Sequence, residues 1–397
     1  MLFRIRHLFS RLSTDSKIAI PLLVALLVFT TSMIVVYCKS NPFIYLNAAI
    51  AIFCLLSIYW LRGKWRPIAW NLAIVFLCLM GFEAYLAGWI LPSMAGPDTE
   101  KTPGNLNRQD PILGYALKND LHIHKRKTYM NEEIFDVHYT IDSHGRRMHQ
   151  DIPIENSPTV LFFGGSFTFG TGLEDHETLP WQFQESTGQR IQAINFGNPG
   201  YGAHQMLAIL ENHLEREVVS GKKPIAAVYT CISGHVKRAA GQAFWDPTGP
   251  HYVVNQDGSC TYADPFRNAR QESIHRFLCK SSIYQRITTP QSNYSEDDYR
   301  RLVSIINRSQ EILRERYQMD LSVILWSVTN DKQSKKLQKL LDEAGIDTII
   351  ADAALPDFAS DPERYKLHPK DGHPNALANQ ILAATLFKHL NLNDSAN

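Results

Sequence analysis

Leu161-Phe162-Phe163-Gly164-Gly165-Ser166-Phe167-Thr168-Phe169-Gly170 is an apolar run that stops at a Gly-Gly-Ser turn. Paired glycines permit a tight reversal, so the turn presents the Ser166 hydroxyl at the carboxyl end of a strand, where open α/β sheets bind ligands. A phosphate loop is the competing reading. The stretch has neither the GK[ST] ending nor the GxGxxG spacing that such loops need.

On either side of this turn, apolar strands alternate with amphipathic helices from Thr159 onward. Strands are predicted at 159–163, 191–195, 224–231, 320–327 and 346–350, and helices at about 176–187, 203–219, 297–317, 332–344 and 374–390. After Ala203, the residues Met206, Leu207, Leu210, Leu214 and Val218 recur at three- and four-residue steps, which makes one core-facing stripe. Short, nearly continuous apolar strands separated by helices predict an α/β three-layer sandwich with a mostly parallel five-stranded sheet, one reversed edge strand being the alternative. The predicted α/β domain spans 156–397.

Residues 238–295 interrupt the alternation as an insertion, with a hairpin expected around Gln256-Asp257-Gly258 and a helical pattern near 269–287. Its aromatic residues Phe244, Trp245, Tyr252 and Tyr262 make either a substrate wall or a satellite core. Upstream, 111–155 reads as a small β-rich segment, with Ile134–Ile141 partly alternating before an Asp142-Ser143-His144-Gly145 turn. The Pro- and Gly-rich stretch 92–110 reads as a linker.

Residues 1–91 carry the long apolar runs. Ile18–Cys38 and Ser40–Leu61 are free of charge, and Pro67–Leu91 is interrupted only by Glu83. A helix needs about 20 apolar residues to cross a bilayer core, so three transmembrane helices are expected. Arg4, Arg6, Arg11 and Lys17 precede the first run, and Arg62, Lys64 and Arg66 separate the second from the third. Only Lys39 and Lys101 stand near the other ends. The excess of cations predicts a cytoplasmic N-terminus, a multi-pass anchor in a bacterial inner membrane, and an extracytoplasmic domain after Leu91. Glu83 is read either as a functional carboxylate or as a group packed between helices.

Of 397 residues, 45% are hydrophobic and 20% charged, with a formal net charge of +1. That balance excludes a disordered chain and gives no argument for nucleic acid as a partner. The six cysteines show no zinc spacing, and the histidines His122, His124, His138, His144 and His149 read as solvent-facing, so neither a metal nor a cofactor is expected. Cys260 and Cys279 are free to form a disulfide if the domain lies outside the cytoplasm. The run His124-Lys125-Arg126-Lys127 reads as a solvated face, or as one that attracts anionic glycan or lipid headgroups.

A serine becomes nucleophilic only with a base, and the base needs an orienting carboxylate. Asp371-Gly372-His373-Pro374-Asn375 enters the terminal helix and offers both from one loop. With these residues in view, 110–397 resembles the SGNH (GDSL-type) hydrolase superfamily. Gly164–Gly170 is similar to the family's first block, with Ser166 as nucleophile. Asn195-Phe196-Gly197-Asn198-Pro199-Gly200-Tyr201-Gly202 is similar to the second, and Asp371 and His373 match the last. The resemblance implies an SGNH/flavodoxin-like fold, and Gly165 and Gly200 as oxyanion- or substrate-binding positions.

The third block departs from the family pattern. Its usual Gly-x-Asn-Asp is replaced by Ile232-Ser233-Gly234-His235-Val236-Lys237-Arg238, which removes an oxyanion donor. Such a donor is worth about 10²–10³ in rate. His235 is the nearest candidate to replace it, or else a structural or substrate-contacting histidine. The aspartate also sits two rather than three positions before His373.

The implied function is that of a membrane-anchored serine esterase or O-acyltransferase. It would act on acyl, most simply acetyl, esters of an envelope glycan or lipid-linked sugar. A transferase would need a multispanning partner to deliver acyl groups across the membrane. A catalytically weak carbohydrate-binding or scaffold module is the alternative.

Overall fold

The computed structural model describes residues 24–34, 41–88, 99–101, 105–130, 132–148, 152, 155–288, 294–326 and 332–392. Arg4, Arg6, Arg11, Lys17, Cys38, Lys39 and His149, and the end of the third apolar run, lie outside them. The chain divides into two compact units, one of Met1–Ala95 with Arg270–Pro290, the other of Gly96–Ala269 with Gln291–Asn397.

The larger unit is built on a five-stranded sheet in the order Asp347–Ile350, Leu321–Trp326, Lys222–Ile232, Ser157–Gly164, Gln192–Asn195. Every pairing is parallel, so there is no reversed edge. Alternate residues of each strand point to opposite faces. Leu161, Phe163, Tyr229 and Val323 join one core, with Leu207 and Leu210 of the helix Ala203–Glu211 and Leu302 and Ile306 of the helix Glu296–Tyr317. Val160, Phe162, Val228 and Ile324 join the other, with Phe183 of the helix Leu179–Ser186 and Leu382 and Leu386 of the helix Ala376–His389. Because both faces are covered, the strands carry no polar alternation. Phe162 and Phe163 are wholly buried, and each contributes about 1.5–3 kcal/mol of hydrophobic stabilisation.

Local chemistry sets where the helices stop and start. Ser295 accepts from the Asp298 N–H while Asp298 accepts from the Ser295 N–H, a capping box that opens Glu296–Tyr317. The predicted helix 203–219 is instead Ala203–Glu211 followed by Arg216–Val219, because His213 takes a left-handed conformation with φ 58° and breaks the ladder.

The β-rich segment is an antiparallel pair, Leu121–Tyr129 with Glu132–Ile141. Its apolar face buries Ile123, Phe135, Val137 and Tyr139 against Phe169, in the turn that follows Ser166. The predicted linker 92–110 contains two strands: Thr99–Lys101 extends this sheet, and Asn107–Asp110 pairs with Gly114–Leu117. Within the insertion the expected hairpin forms from Pro250–Val254 and Cys260–Pro265. Its Tyr252 is buried and donates to Glu211, a core role, while Phe244 and Trp245 stay exposed. Cys260 and Cys279 are free thiols rather than a disulfide.

In the smaller unit, one of the three expected spanning helices is found, and residues 18–23 and 35–38 of the first expected span lie outside the described residues. Among the described residues only Trp65–Leu86 is long and apolar enough to cross a membrane. Pro42–Ser57 has 16 residues, about 24 Å of helix against a core of about 30 Å. It starts late because Asn41 caps it, accepting from the Phe43 N–H, and it ends before the turn at Gly63. The described part of the first run is the helix Val24–Ile34. Glu83, on the spanning helix, is 1% exposed. It accepts from Asn41 Nδ2, Ser281 Oγ and the N–H groups of Ser282 and Ile283, which holds the segment after Leu278 against that helix.

Candidate active site

Numbered along the chain, the sheet order places the first strand between the second and the third. The chain therefore leaves the first strand in one direction and later returns on its other side, which opens a crevice at the carboxyl ends of the first and third strands. Ser166 follows the first strand, Gly200 the second, and His235 and Arg238 the third.

The Ser166 turn depends on its glycines. Gly164 has φ 149°, and a Cβ there would stand 2.3 Å from Thr168 Oγ1 and 3.0 Å from the Thr230 carbonyl. Thr168 Oγ1 donates to the Phe163 carbonyl at 3.1 Å and fastens the turn. Ser166–Phe169 then forms one helical turn, closed at the left-handed Gly170, so the Ser166 amide has no intrahelical acceptor.

His373 comes from Asp371–Pro374, which pairs antiparallel with Lys366–His368. Asn375 directly after it caps the terminal helix through the Ala378 N–H, at 3.0 Å. Held in this way, His373 Nε2 lies 2.8 Å from Ser166 Oγ, and its Nδ1 lies 2.5 Å from Asp371 Oδ1. With Nδ1–H donating to the carboxylate, Nε2 is the acceptor for the serine hydroxyl. The His373 N–H also donates to Asp371 Oδ1 at 3.1 Å, and Lys127 Nζ donates to Oδ2 at 3.1 Å. Burial alone would raise the Asp371 pKa. The hydrogen bond and charge of His373, its backbone N–H and the Lys127 bond outweigh burial and hold it below the ordinary carboxylate value.

Gly200 adopts φ 92°, with space for a Cβ closed off by Tyr115 Oη at 2.5 Å and Trp245 Nε1 at 2.6 Å. Its carbonyl accepts from Trp245 Nε1, and its N–H has no partner among the described residues. Tyr115 Oη donates to the Pro199 carbonyl at 3.0 Å, and Tyr201 Oη donates to the Tyr115 carbonyl at 2.5 Å. The hairpin of Asn107–Asp110 with Gly114–Leu117 thus braces this loop. Gly165 abuts Arg238, whose Nη1 stands 2.6 Å from where a Cβ would be.

His235 does not fit the donor role expected of it. The ring is 2% exposed, and its Nε2 lies 3.0 Å from Arg238 Nη1 while its Nδ1 lies 2.5 Å from Tyr229 Oη. A guanidinium only donates, so Nε2 is the acceptor and Nδ1–H points to Tyr229. Burial, then the charges of Arg238 and His204, lower the His235 pKa well below its ordinary value, which keeps the ring neutral. No N–H of His235 is left for an oxyanion.

The basic run resolves residue by residue. His124 pairs with Asp136 and stacks on His138, and Arg126 pairs with Glu133 and Asp136. Lys127 reaches Asp371. Lys127, Arg238 and Tyr115 are residues beside the site that the sequence reading did not assign, while Trp245 was among the aromatics read as a substrate wall or a satellite core. The only signal for Lys127 was its place in a short strand of cations. Arg238 lay in plain view, four positions after Gly234 in the departed third block.

No family model matches the chain, and no curated protein matches it. Solved structures do. Acetyl xylan esterase Axe2 from Geobacillus stearothermophilus is 13% identical, with 60% of this chain and 96% of Axe2 covered at a TM-score of 0.33. An alpha/beta hydrolase from the Lake Arreo metagenome, LAE5, is 14% identical, with 60% and 97% covered at 0.33. A Desulfitobacterium hafniense protein assigned to the lipolytic G-D-S-L family is 14% identical, with 58% and 98% covered at 0.34.

Proposed function

We propose that the chain is a membrane-anchored, extracytoplasmic serine esterase of SGNH type that acts on acyl esters of an envelope glycan. The observation that carries this reading is the hydrogen-bond chain Ser166–His373–Asp371, at 2.8 and 2.5 Å, in the crevice of a parallel sheet. His373 Nε2 takes the Ser166 proton as Oγ bonds to the ester carbonyl carbon, and the carbonyl oxygen becomes an alkoxide. The Ser166 and Gly200 amides are the proposed donors to that charge. Asp371, kept ionised, stabilises the imidazolium. As the alkoxide collapses, the ester C–O bond breaks and the alcohol leaves with the proton from His373. Water, with His373 as base, then releases the acid and frees Ser166.

Membrane attachment rests on the helix Trp65–Leu86, and its orientation on Arg62, Lys64 and Arg66 at the start of that helix. The glycan reading is supported by Trp245, a 40%-exposed residue that donates to the Gly200 carbonyl and whose ring offers a flat apolar face beside the Gly200 loop to the C–H side of a sugar. A fluorophosphonate probe should label the full-length protein, and the Ser166→Ala variant should not label. Absence of a Ser166-dependent adduct would leave only the scaffold reading. Acetate release from an acetylated oligosaccharide, with and without a second sugar as acceptor, then separates hydrolysis from O-acyl transfer.

A further inference from the structure

We infer that Arg238 supplies the oxyanion-stabilising charge that the third-block asparagine gives in the family this chain resembles; the inference rests on the serine-esterase reading. Arg238 sits on the short helix Gly234–Ala239, directly after the central strand that ends at Ile232, and its guanidinium packs against Gly165, the residue before the nucleophile. Nη1 spends both of its hydrogens on fixed acceptors, the Tyr201 carbonyl at 2.6 Å and His235 Nε2 at 3.0 Å. Tyr201 belongs to the Gly200 loop, and His235 occupies the third block. The cation is thereby tied to both neighbouring parts of the crevice.

Three further features point to an anion. Among the described residues no carboxylate lies within ion-pair distance of Arg238, although its guanidinium is half-buried; the buried Asp246, paired with His204, acts on its charge only from farther off. A cation withdrawn from water without a carboxylate in contact is costly unless something negative joins it. Nη2 and Nε donate to no described residue, so donors remain. The guanidinium also lies 5.5 Å from the Trp245 ring centroid, so a face of the aromatic ring limits where it can swing. His235 then reads as a positioning residue: neutral, oriented by Tyr229, and accepting from the guanidinium. This accounts for a histidine where the family has a donor.

The test compares full-length wild type with Arg238→Gln and Arg238→Lys, in detergent, on p-nitrophenyl acetate, a neutral ester. Arg238→Gln should lower kcat by about 10²–10³ with KM little changed. Affinity for a small boronic acid, which forms a tetrahedral anion on the serine, should fall in parallel. Arg238→Lys keeps the charge without the fork and should retain part of the rate. It carries the same comparison if the glutamine variant fails to fold, as judged by circular dichroism. Wild-type kcat in the variants overturns the inference. So does a KM increase confined to an ester bearing a carboxylate, which would make Arg238 a clamp for anionic substrate. Fluorophosphonate labelling of wild type keeps the two levels apart: an adduct with unchanged variant kinetics removes Arg238 alone, and no adduct removes the esterase and the inference together.

Discussion

Lys127 and Asp371 are 244 positions apart, and the lysine ammonium donates to Asp371 Oδ2 at 3.1 Å while Oδ1 holds His373. One carboxylate is thus shared between a cation that fixes its charge and an imidazole that uses it. Asp371→Asn removes the acceptor that selects the Nδ1–H tautomer, so kcat should fall by about 10⁴. Lys127→Met leaves the tautomer intact and removes one of the several influences that lower the Asp371 pKa. Activity at neutral pH should fall by less than tenfold, and the acid limb of the kcat/KM profile should move to higher pH. A pH profile that does not move would show that Lys127 serves packing alone.

The same carboxylate links stability to pH. Its pKa is lower in the folded chain than the ordinary value of about 3.9 in an unfolded one. The unfolded chain therefore binds its proton first as pH falls. The stabilisation is complete above about pH 5 and is lost on descent through the unfolded value toward the folded one. The difference in melting temperature between wild type and Asp371→Asn should be largest near neutrality and should shrink below about pH 4. A difference that grows in acid would contradict the sign.

Gly200→Ala tests the loop that follows the second strand. The new methyl meets Tyr115 Oη and Trp245 Nε1 at under 3 Å, on a backbone at φ 92° that alanine resists. The loop must shift, and its free N–H with it. On the esterase reading kcat should fall by about 10² or more while KM and the melting temperature change much less. Equal losses in stability and rate would indicate a loop that matters only for folding.

The sheet and the two loops that carry Ser166 and His373 were legible because each is written locally, and the resemblance paired the loops. Five apolar strands have no solvated face, the Gly-Gly-Ser turn ends the first of them, and Asp371-Gly372-His373 sits just before the terminal helix. The helix break at His213 was hidden, because Leu214 and Val218 continue the apolar period across a left-handed residue. Thr99–Lys101 and Asn107–Asp110 read as linker because their strand character comes from pairing partners rather than side chains. His235 looked like a donor because a sequence shows that a histidine has two nitrogens but not which acceptors and donors surround them. Arg238 decides that question from three residues away.

Glu83 gives a prediction for the other unit. The sequence leaves Glu83 either a functional carboxylate or a group packed between helices, and its oxygens are taken by Asn41, Ser281 and the N–H groups of Ser282 and Ile283. With every lone pair engaged by the chain itself, the group holds the start of the helix Ser282–Thr288 in place. Glu83→Ala would orphan these donors at a cost of about 1–3 kcal/mol each where they stay buried. Water reaching the opened segment would relieve some of them. Trypsin cleavage at Arg276, Lys280 or Arg286 in detergent-solubilised protein should therefore accelerate about tenfold or more, following the population of the opened segment. Glu83→Gln, which keeps one accepting oxygen, should fall between the two. Cleavage at the wild-type rate in Glu83→Ala would mean that the segment is held by its apolar contacts, such as Phe43 with Phe277, and that the carboxylate has another use.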